Sequence, residues 1–286
     1  MKIGNYDLIR TDGSDTLGAL GGRLFRLQRC DDGMTADRAD AIAQALSKAI
    51  LPGSNTVIPA FFEADTGWYC AVPWQEEVFR GLPLTYLQHL PEKARMHLAL
   101  LAVSALETLH QGGVVHGSLT ADCFRLTVAP GGVLCTVLED LRHAGTKAYP
   151  PMNPDRSSPY ASPEARIGKA PTAASDVFAL GLCLHLWFAG ELPRCRNANQ
   201  ITLSRNTVWL CDAIPMGIRS VIASMLEASP ADRPALSEVF KRLRSGTGSC
   251  SDPTYPASEL PDEERDELRR LMLLEHPLLT DRYKDA

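Results

Sequence analysis

Four polar residues with chemically useful side chains fall within one short stretch, VVHGSLTADCF at residues 114–124. They are His116, Ser118, Asp122 and Cys123, and apolar residues flank them on both sides. Their order is similar to that of a catalytic loop from which the chemistry has been removed. The rest of the chain decides whether this loop is still a site.

The composition is that of an ordinary globular protein. Its 286 residues are 45% apolar and 22% charged, and this length suits one bilobal domain or two small ones. The net charge of −5 lacks the basic surplus typical of nucleic-acid binding, so we expect no nucleic-acid partner. The longest nearly apolar stretch, residues 177–190, contains His185 and is too short to cross a bilayer. We therefore expect a buried core helix there and no membrane partner.

The eight cysteines show no metal-binding spacing. None belongs to a C-x-x-C pair, so we expect no zinc site and assign no residue of the chain as a metal ligand. The N-terminal residues MKIGNYDLIRTDG lack the apolar core of a signal peptide, so the thiols should stay reduced and we expect a cytoplasmic protein. The cysteines are Cys30, Cys70, Cys123, Cys135, Cys183, Cys195, Cys211 and Cys250.

Residues 1–82 have the pattern of a strand-rich lobe with one main helix. Alternating apolar residues predict strands at residues 2–9 and 22–30, with a glycine-bearing turn at residues 16–22 between them. A threonine cap signal and helical spacing of Ala, Ile and Leu predict a helix over residues 35–51. Two apolar runs joined by EADTG then indicate a hairpin.

Residues 83–244 change to a mostly helical pattern. A long helix with a glycine stop is predicted over residues 92–113, and residues 143–164 are a Pro- and Ser-rich irregular loop. Residues 245–258 have the composition of a flexible linker, and residues 259–286 contain a short amphipathic helix and a tail. We expect this helix to dock on its own domain; the alternative is that it leads into a neighbouring domain or a partner.

Five motifs follow one another along the chain, namely HGSL with Cys123, LEDLR, YASPE, SDVFALG and ADRP. In this order, and together with the elements above, they resemble the motifs of a protein kinase. The likeness is specific over residues 96–244 and loose over residues 1–82. It implies an α+β fold class, the bilobal protein kinase-like fold, with a small strand-rich N-lobe and a mostly helical C-lobe. The landmarks are HGSL with Cys123 for H-R-D-L-x-x-x-N, Asp140 of LEDLR for D-F-G, Glu164 of YASPE for A-P-E, Asp176 of the αF-like segment, and Arg233 of ADRP.

Several of these landmarks have structural roles in the family. The resemblance implies that Asp176 holds the backbone of the catalytic loop and that His116 packs beneath that loop. It also implies that Glu164 and Arg233 form a buried ion pair between the activation segment and the C-lobe. Breaking a buried pair leaves an uncompensated charge, so such residues persist for folding even when catalysis is lost.

The same resemblance implies that the groups for phosphoryl transfer are gone. Ser118 stands where the family has its catalytic Asp, and Cys123 stands where it has the Asn that holds a metal ion. Gln28 takes the place of the Lys that offsets the charge of the phosphates, with Arg26 or Arg29 nearby. A complex with ATP and Mg²⁺ is therefore possible but not expected.

Two acidic residues keep a nucleotide or metal role open. Asp140 retains the metal-binding position of the family, and it either holds Mg²⁺ through nucleotide phosphates or caps the turn that follows. Asp122 lies beside the lost Asn position, although its side chain should point elsewhere along the loop. In the helix over residues 35–51, Asp40 or Gln44 lies nearest to the missing Glu of the usual Lys–Glu ion pair.

The sequence therefore predicts a catalytically inactive pseudokinase that acts as a regulatory or scaffolding protein-interaction module. Its partner would be another protein or a neighbouring domain of a longer chain. The alternative is an atypical kinase-fold enzyme that binds ATP and Mg²⁺ and transfers a phosphoryl or nucleotidyl group through Asp122 or Asp140. A third hypothesis is peptide capture in the former substrate groove, along KAYPPMNPDRSSPY at residues 147–160.

Overall fold

In the part of the first lobe that the structure describes, the chain forms six antiparallel strands and one long helix. The computed structural model describes residues 2–12, 15–30, 33–49, 59–73, 82–83, 87, 90–129, 131–151, 155–195, 208–246 and 255–274. The bounds in this lobe are β1 Lys2–Ile3, β2 Tyr6–Asp12, β3 Asp15–Leu20, β4 Arg23–Arg29, α1 Ala36–Ala49, β5 Ala60–Ala64 and β6 Gly67–Pro73. The strands lie side by side in the order β1–β2–β3–β4–β6–β5. The strand predicted at residues 22–30, the helix and the hairpin are confirmed over their described residues. The strand predicted at residues 2–9 is instead interrupted at residues 4–5, where Gly4 has a φ of +56°, and forms the two strands β1 and β2.

The glycine-bearing segment at residues 16–22 is mostly strand, so the prediction of a turn over its whole length is wrong. Gly18 lies inside β3, where an added Cβ would come within 2.8 Å of the Leu27 side chain. That glycine therefore serves close packing between neighbouring strands. Only Gly21 and Gly22 make the turn, with φ of +58° and +77° that side chains rarely allow.

Strand β4 presents different chemistry on its two faces because side chains alternate along a strand. Phe25 and Leu27 point to an outer apolar cluster with Tyr6, and the rings of Tyr6 and Phe25 meet edge to face at 5.2 Å. Arg26 and Gln28 lie on the opposite face and are buried. This second face is directed toward the other lobe, so its side chains are the ones that can contribute to a site between the lobes.

The second lobe is mainly helical, with small sheets at its boundary with the first. A three-stranded sheet has the order β10–β9–β7, and two strand pairs join β11 to β8 and β12 to β13. The bounds are β7 Leu82–Pro83, α2 Glu92–Gln111, β8 Val114–Val115, β9 Phe124–Ala129, β10 Val133–Leu138, β11 Gly145–Thr146, α3 Pro163–Arg166, α4 Ala173–Ala189, β12 Arg194–Cys195, β13 Val208–Trp209, α5 Met216–Met225, α6 Leu236–Gly246 and α7 Asp262–Leu274.

Helices α2 and α4 form the centre of this lobe. The expected core helix at residues 177–190 is confirmed, since α4 is buried on nearly every side. Helix α2 ends at Gln111 and is followed by its C-cap Gly112, where an added Cβ would lie 2.4 Å from the Cβ of Ala49 in α1. The lobes are therefore in direct contact at this glycine. Of the helices that the structure describes, none combines the length and apolar character needed to cross a membrane.

The last described segment packs against the second lobe. Tyr255, Leu260 and Leu268 belong to the main hydrophobic core. The Leu134 N–H donates to the carbonyl of Tyr255 at 2.9 Å, which adds this segment to the edge of β10. Tyr255, which the sequence assigned to the linker, is thus already packed, and helix α7 docks on its own domain through Leu268.

Candidate functional site

One carboxylate fixes the backbone of the loop at residues 116–123. Asp176 lies in the first turn of α4 and is almost fully buried. Its Oδ2 accepts the N–H of His116 at 2.8 Å, and its Oδ1 accepts the N–H of Gly117 at 2.9 Å. The Nε2 of His110, at the end of α2, lies 2.9 Å from the same Oδ2. The carboxylate therefore ties two helices to the start of the loop.

The side chain of His116 packs beneath this loop. It is completely buried, and its Nε2 lies 3.3 Å from the carbonyl oxygen of Glu139. Glu139 follows β10 and directly precedes Asp140. His116 therefore connects the loop to the turn that carries the metal-binding position of the kinase pattern.

The other polar side chains of the loop are weak candidates for catalysis. Ser118 is half-buried, whereas Asp122 is exposed. Cys123 is buried, and its Sγ accepts a hydrogen bond from the N–H of Thr120 at 3.4 Å. Burial and, to a lesser extent, the charge of Asp140 raise the pKa of Cys123 to about 12. The thiol is therefore protonated at neutral pH and is neither a nucleophile nor a metal ligand.

The carboxylate of Asp140 forms an ion pair with the guanidinium of Arg142. Its backbone is left-handed, with φ 62° and ψ 57°, which is uncommon for a residue with a side chain. The Nε of Arg142 lies 2.8 Å from Oδ1, and the Nη2 of Arg142 donates to Oδ2 at 3.1 Å. The Asp140 side chain makes no capping hydrogen bond to the 3-10 turn Leu141–His143, so the capping alternative is wrong.

An ion cluster lies between the two lobes beside Gln28. The Nη1 of Arg26 donates to Oε2 of Glu139 at 3.1 Å, and the Nε of Arg125 lies 3.8 Å from the same oxygen. Gln28 is buried on the Arg26 face of β4, and its Oε1 has no hydrogen-bond partner among the described residues. Of the two arginines proposed near Gln28, Arg26 is the one in the cleft, whereas Arg29 is exposed. The contact with Glu139 leaves no pattern in the sequence because it spans 113 positions.

Helix α1 uses a residue that the sequence did not single out. Asp40 and Gln44, the nearest replacements for the missing Glu, are both exposed. Arg38 is buried instead, and its Nη2 donates to the carbonyls of Ala144 at 3.3 Å and Pro150 at 2.8 Å. The helix is therefore bonded to the segment that follows Asp140-Leu141-Arg142.

Glu164 and Arg233 form the buried ion pair that the kinase resemblance implies. The guanidinium donates to both carboxylate oxygens, at 2.7 and 2.8 Å, and the hydroxyl of Ser175 donates to Oε1 at 2.7 Å. Burial alone would raise the pKa of Glu164, but the hydrogen bonds from Arg233 and Ser175 outweigh it and lower the pKa to about 2. The pair joins α3 to the segment before α6.

A small pocket lies between the loop and the segment before α3. Gly117–Leu119 line one side, and Tyr160–Ser162 line the other. The hydroxyl of Ser162 is buried and has no hydrogen-bond partner among the described residues. Among all the residues that the structure describes, no group of His, Cys, Asp or Glu side chains is arranged to hold a metal ion.

The family comparison agrees with this arrangement of anchors. The family described as Kinase-like matches residues 81–233, which is more than half of the chain. The chain belongs to the kinase-like family. The matched residues of this kinase-like protein include the loop, the turn with Asp140 and the Glu164–Arg233 pair.

Three curated relatives of the kinase-like chain are similar over part of their length. It is 26% identical over 174 residues to a calcium and calcium/calmodulin-dependent serine/threonine-protein kinase of Pisum sativum, covering 57% of this chain and 31% of the relative. It is 28% identical over 110 residues to serine/threonine-protein kinase VRK3 of Mus musculus, covering 36% and 24%. It is 26% identical over 150 residues to rhoptry protein 4 of Toxoplasma gondii, covering 49% and 25%. The matches span less than a third of each relative.

Among solved structures, the kinase-like chain is similar to a crystal structure of the Rad53 kinase domain and SCD2. The TM-score is 0.62 at 14% identity, and the superposition covers 93% of this chain and 98% of that chain. At this identity the likeness concerns the fold alone. The α+β, bilobal protein kinase-like fold implied by the sequence landmarks is confirmed.

Proposed function

We propose that this chain is a pseudokinase, a catalytically inactive kinase-like module that acts as a regulatory or scaffolding protein-interaction domain. The observation that carries the proposal is the Arg26–Glu139 ion pair across the cleft between the lobes. It stands beside Gln28, where the kinase pattern has a lysine for the nucleotide phosphates. The side chains of Arg26 and Glu139 therefore occupy space that a nucleotide would need, and Glu139 neutralises the positive charge that could otherwise bind its phosphates.

The energetic cost of displacing this pair supports the proposal. The side chains of Arg26 and Glu139 are only 7% and 17% exposed, so a nucleotide would have to separate a largely buried pair. Separating the pair would leave Arg26 without its partner while Glu139 keeps Arg125 as a second cation, so we expect this step to cost about 1–2 kcal/mol. Gln28 has no positive charge with which to compensate. Nucleotide binding is therefore opposed before any phosphate contact forms.

The chemistry of the loop supports the same proposal. Ser118 is no general base at neutral pH, and loss of such a base reduces rates by about 10²–10⁴-fold. The protonated Cys123 thiol does not replace an oxygen ligand for Mg²⁺. Asp140, the remaining carboxylate at a metal-binding position, is paired with Arg142. The alternative of an enzyme using Asp122 or Asp140 has less support, because Asp122 is exposed and the two acids at the cleft, Glu139 and Asp140, are already paired with Arg26 and Arg142.

The retained anchors support an interaction role. Asp176, Glu164 and Arg233 preserve the architecture of the C-lobe, although none of them would contact a reacting phosphate. An intact fold with an obstructed site is the combination expected of a module selected for its surface. We propose that the partner is another protein or a neighbouring domain of a longer chain, with no nucleic acid and no membrane involved.

The test is thermal unfolding of the chain with and without millimolar Mg²⁺-ATP, together with a phosphate-transfer assay. A ligand present at about 100 times its dissociation constant would stabilise the fold by about 2.7 kcal/mol. We expect no shift and no transfer. An Asp140→Ala variant serves as the control for adventitious activity, and steady transfer by the wild-type chain that this variant abolishes would overturn the proposal in favour of an atypical kinase-fold enzyme.

A second candidate, peptide capture in the former substrate groove, is favoured by the Ser162 hydroxyl. A buried hydroxyl without a partner is costly, and an extended peptide in the adjacent pocket would offer it a backbone group. The test is retention of a displayed library of extended peptides by wild-type, Ser162→Ala and Ser157→Ala chains. Capture that weakens only with Ser162→Ala supports this candidate, whereas equal capture by all three chains argues against it.

A further inference from the structure

Residues 144–151, here called the strap, follow the turn of Asp140 and are tied to the second lobe. Within the strap, Gly145–Thr146 form β11 and pair with Val114–Val115, which lead into the loop at residue 116. The Thr146 N–H donates to the Tyr149 carbonyl at 2.8 Å, and the Tyr149 N–H donates to the Thr146 hydroxyl at 3.2 Å. The strap is therefore an ordered turn with its own hydrogen bonds.

Arg38 joins the strap to α1 in the first lobe. Its guanidinium is buried, and one nitrogen reaches the carbonyls of both Ala144 and Pro150, near the two ends of the strap. Hydrogen bonds from a charged donor are about twice as strong as neutral ones. One side chain therefore holds the strap closed and attaches it to the helix.

Pro151 packs the strap against the loop at residues 116–123. An added Cβ at Gly117 would lie 2.4 Å from the Cβ of Pro151, and one at Gly145 would lie 2.3 Å from the Pro151 nitrogen. No residue with a side chain fits either position without moving the proline. The absence of side chains at both glycines therefore allows the strap to lie directly on the loop.

Gly117 is the second residue of HGSL, where the kinase pattern has an arginine. Kinase activation loops are commonly ordered by phosphorylation through new arginine–phosphate pairs, and a Lys–Glu ion pair positions the helix equivalent to α1. In this chain Pro151 occupies the space over Gly117, and Arg38 supplies the bond to α1. We propose that the strap is constitutively closed and holds α1 in place without a phosphate and without a Lys–Glu pair. This inference is independent of whether the chain transfers phosphate.

The test is amide hydrogen exchange of the full chain after phosphatase treatment, in wild-type, Arg38→Met and Lys48→Met forms. Lys48 is an exposed residue of the same helix and provides the matched control. We expect the Thr146 and Tyr149 amides to be protected in the phosphatase-treated wild type. In Arg38→Met we expect their exchange to accelerate roughly tenfold or more, and in Lys48→Met to remain unchanged. Amides of α4 report whether each variant is folded.

A second pair of variants keeps the test decisive if Arg38→Met does not fold. Pro151→Ala removes the ring that rests on Gly117, whereas Pro159→Ala removes an exposed ring in the segment after the strap. Faster exchange of the Thr146 and Tyr149 amides in Pro151→Ala, but not in Pro159→Ala, supports the proposal. Strap amides that exchange freely in the phosphatase-treated wild type, or that are unaffected by Pro151→Ala, would overturn it.

Discussion

Two buried ion pairs of this kinase-like chain have opposite consequences. The Glu164–Arg233 pair lies inside the C-lobe and joins parts of the scaffold, whereas the Arg26–Glu139 pair lies between the lobes beside Gln28. The first is fully satisfied, because Arg233 also donates to the carbonyls of Ala174 at 2.9 Å and Glu227 at 2.8 Å. If the proposed function is correct, the fold keeps the charges that hold its scaffold together while other charged side chains fill the cleft between its lobes.

The largest difference between the two pairs should appear on removal of Arg233. Arg233→Met leaves the buried Glu164 carboxylate without its partner, and we expect a loss of about 3–5 kcal/mol in the free energy of unfolding. Denaturant unfolding measures this loss. The control is Arg219→Met, since Arg219 pairs with the exposed Asp212 and such surface pairs contribute about 0–1 kcal/mol. Equal losses in the two variants would contradict the scaffold role of Arg233.

Acid should weaken the scaffold pair in a defined pH range. The pKa of Glu164 falls from its ordinary value of 4.5 to about 2 in the fold, so the unfolded chain binds the proton more readily. Stability from this group is complete above pH 4.5 and is lost as the pH falls toward 2, by about 3 kcal/mol in total. Unfolding free energies measured from pH 6 downward (~1-unit steps) should fall more steeply in wild type than in Glu164→Gln. Parallel curves would refute this assignment.

The Arg26–Glu139 pair should contribute less to the free energy of unfolding than the Glu164–Arg233 pair does. Arg26→Ala leaves Glu139 with Arg125 as a second cation, so we expect a loss of only about 1–2 kcal/mol. Arg23→Ala, on the same strand but exposed, is the control and should change stability by less than about 0.5 kcal/mol. A loss with Arg26→Ala as large as that with Arg233→Met would remove the contrast between a structural pair and a pair that fills a site.

The smallest effect concerns His185, a buried residue of α4 in the second lobe. The Cys211 N–H donates to its Nε2 at 3.0 Å, so the proton is on Nδ1, which donates to the Glu191 carbonyl at 2.7 Å. Burial lowers the pKa of His185 below its ordinary 6.5. Its contribution to stability is therefore complete above pH 6.5 and declines as the pH falls below that value. Thermal unfolding of wild type and His185→Gln between pH 7.5 and 5.5 (~0.5-unit steps) should converge at the acid end; a constant difference contradicts this.

The C-lobe was the more predictable region because its anchors belong to short motifs. Asp176, Glu164 and Arg233 each sit in a local pattern whose order along the chain implies their contacts. The Arg26–Glu139 and Arg38–Pro150 contacts join residues 113 and 112 positions apart and belong to no such pattern. Their geometry depends on how the two lobes close, which periodicity along a strand or helix does not encode.

The same limit explains the two local errors. The glycines at residues 16–22 suggested a turn, but cross-strand packing against Leu27 requires Gly18 within a strand. Asp140 suggested a cap, but Arg142, two residues later, provides a stronger charged partner. In both cases a tertiary or side-chain contact overrides the local preference of the residue.

A calorimetric titration of Mg²⁺-ATP into the wild-type chain tests the central claim most directly. We predict no saturable heat at millimolar nucleotide, because the Arg26–Glu139 pair occupies the cleft and Gln28 offers no charge to the phosphates. Saturable binding that disappears in Asp140→Ala would contradict the account, since it would require an open nucleotide site with a functional metal-binding carboxylate.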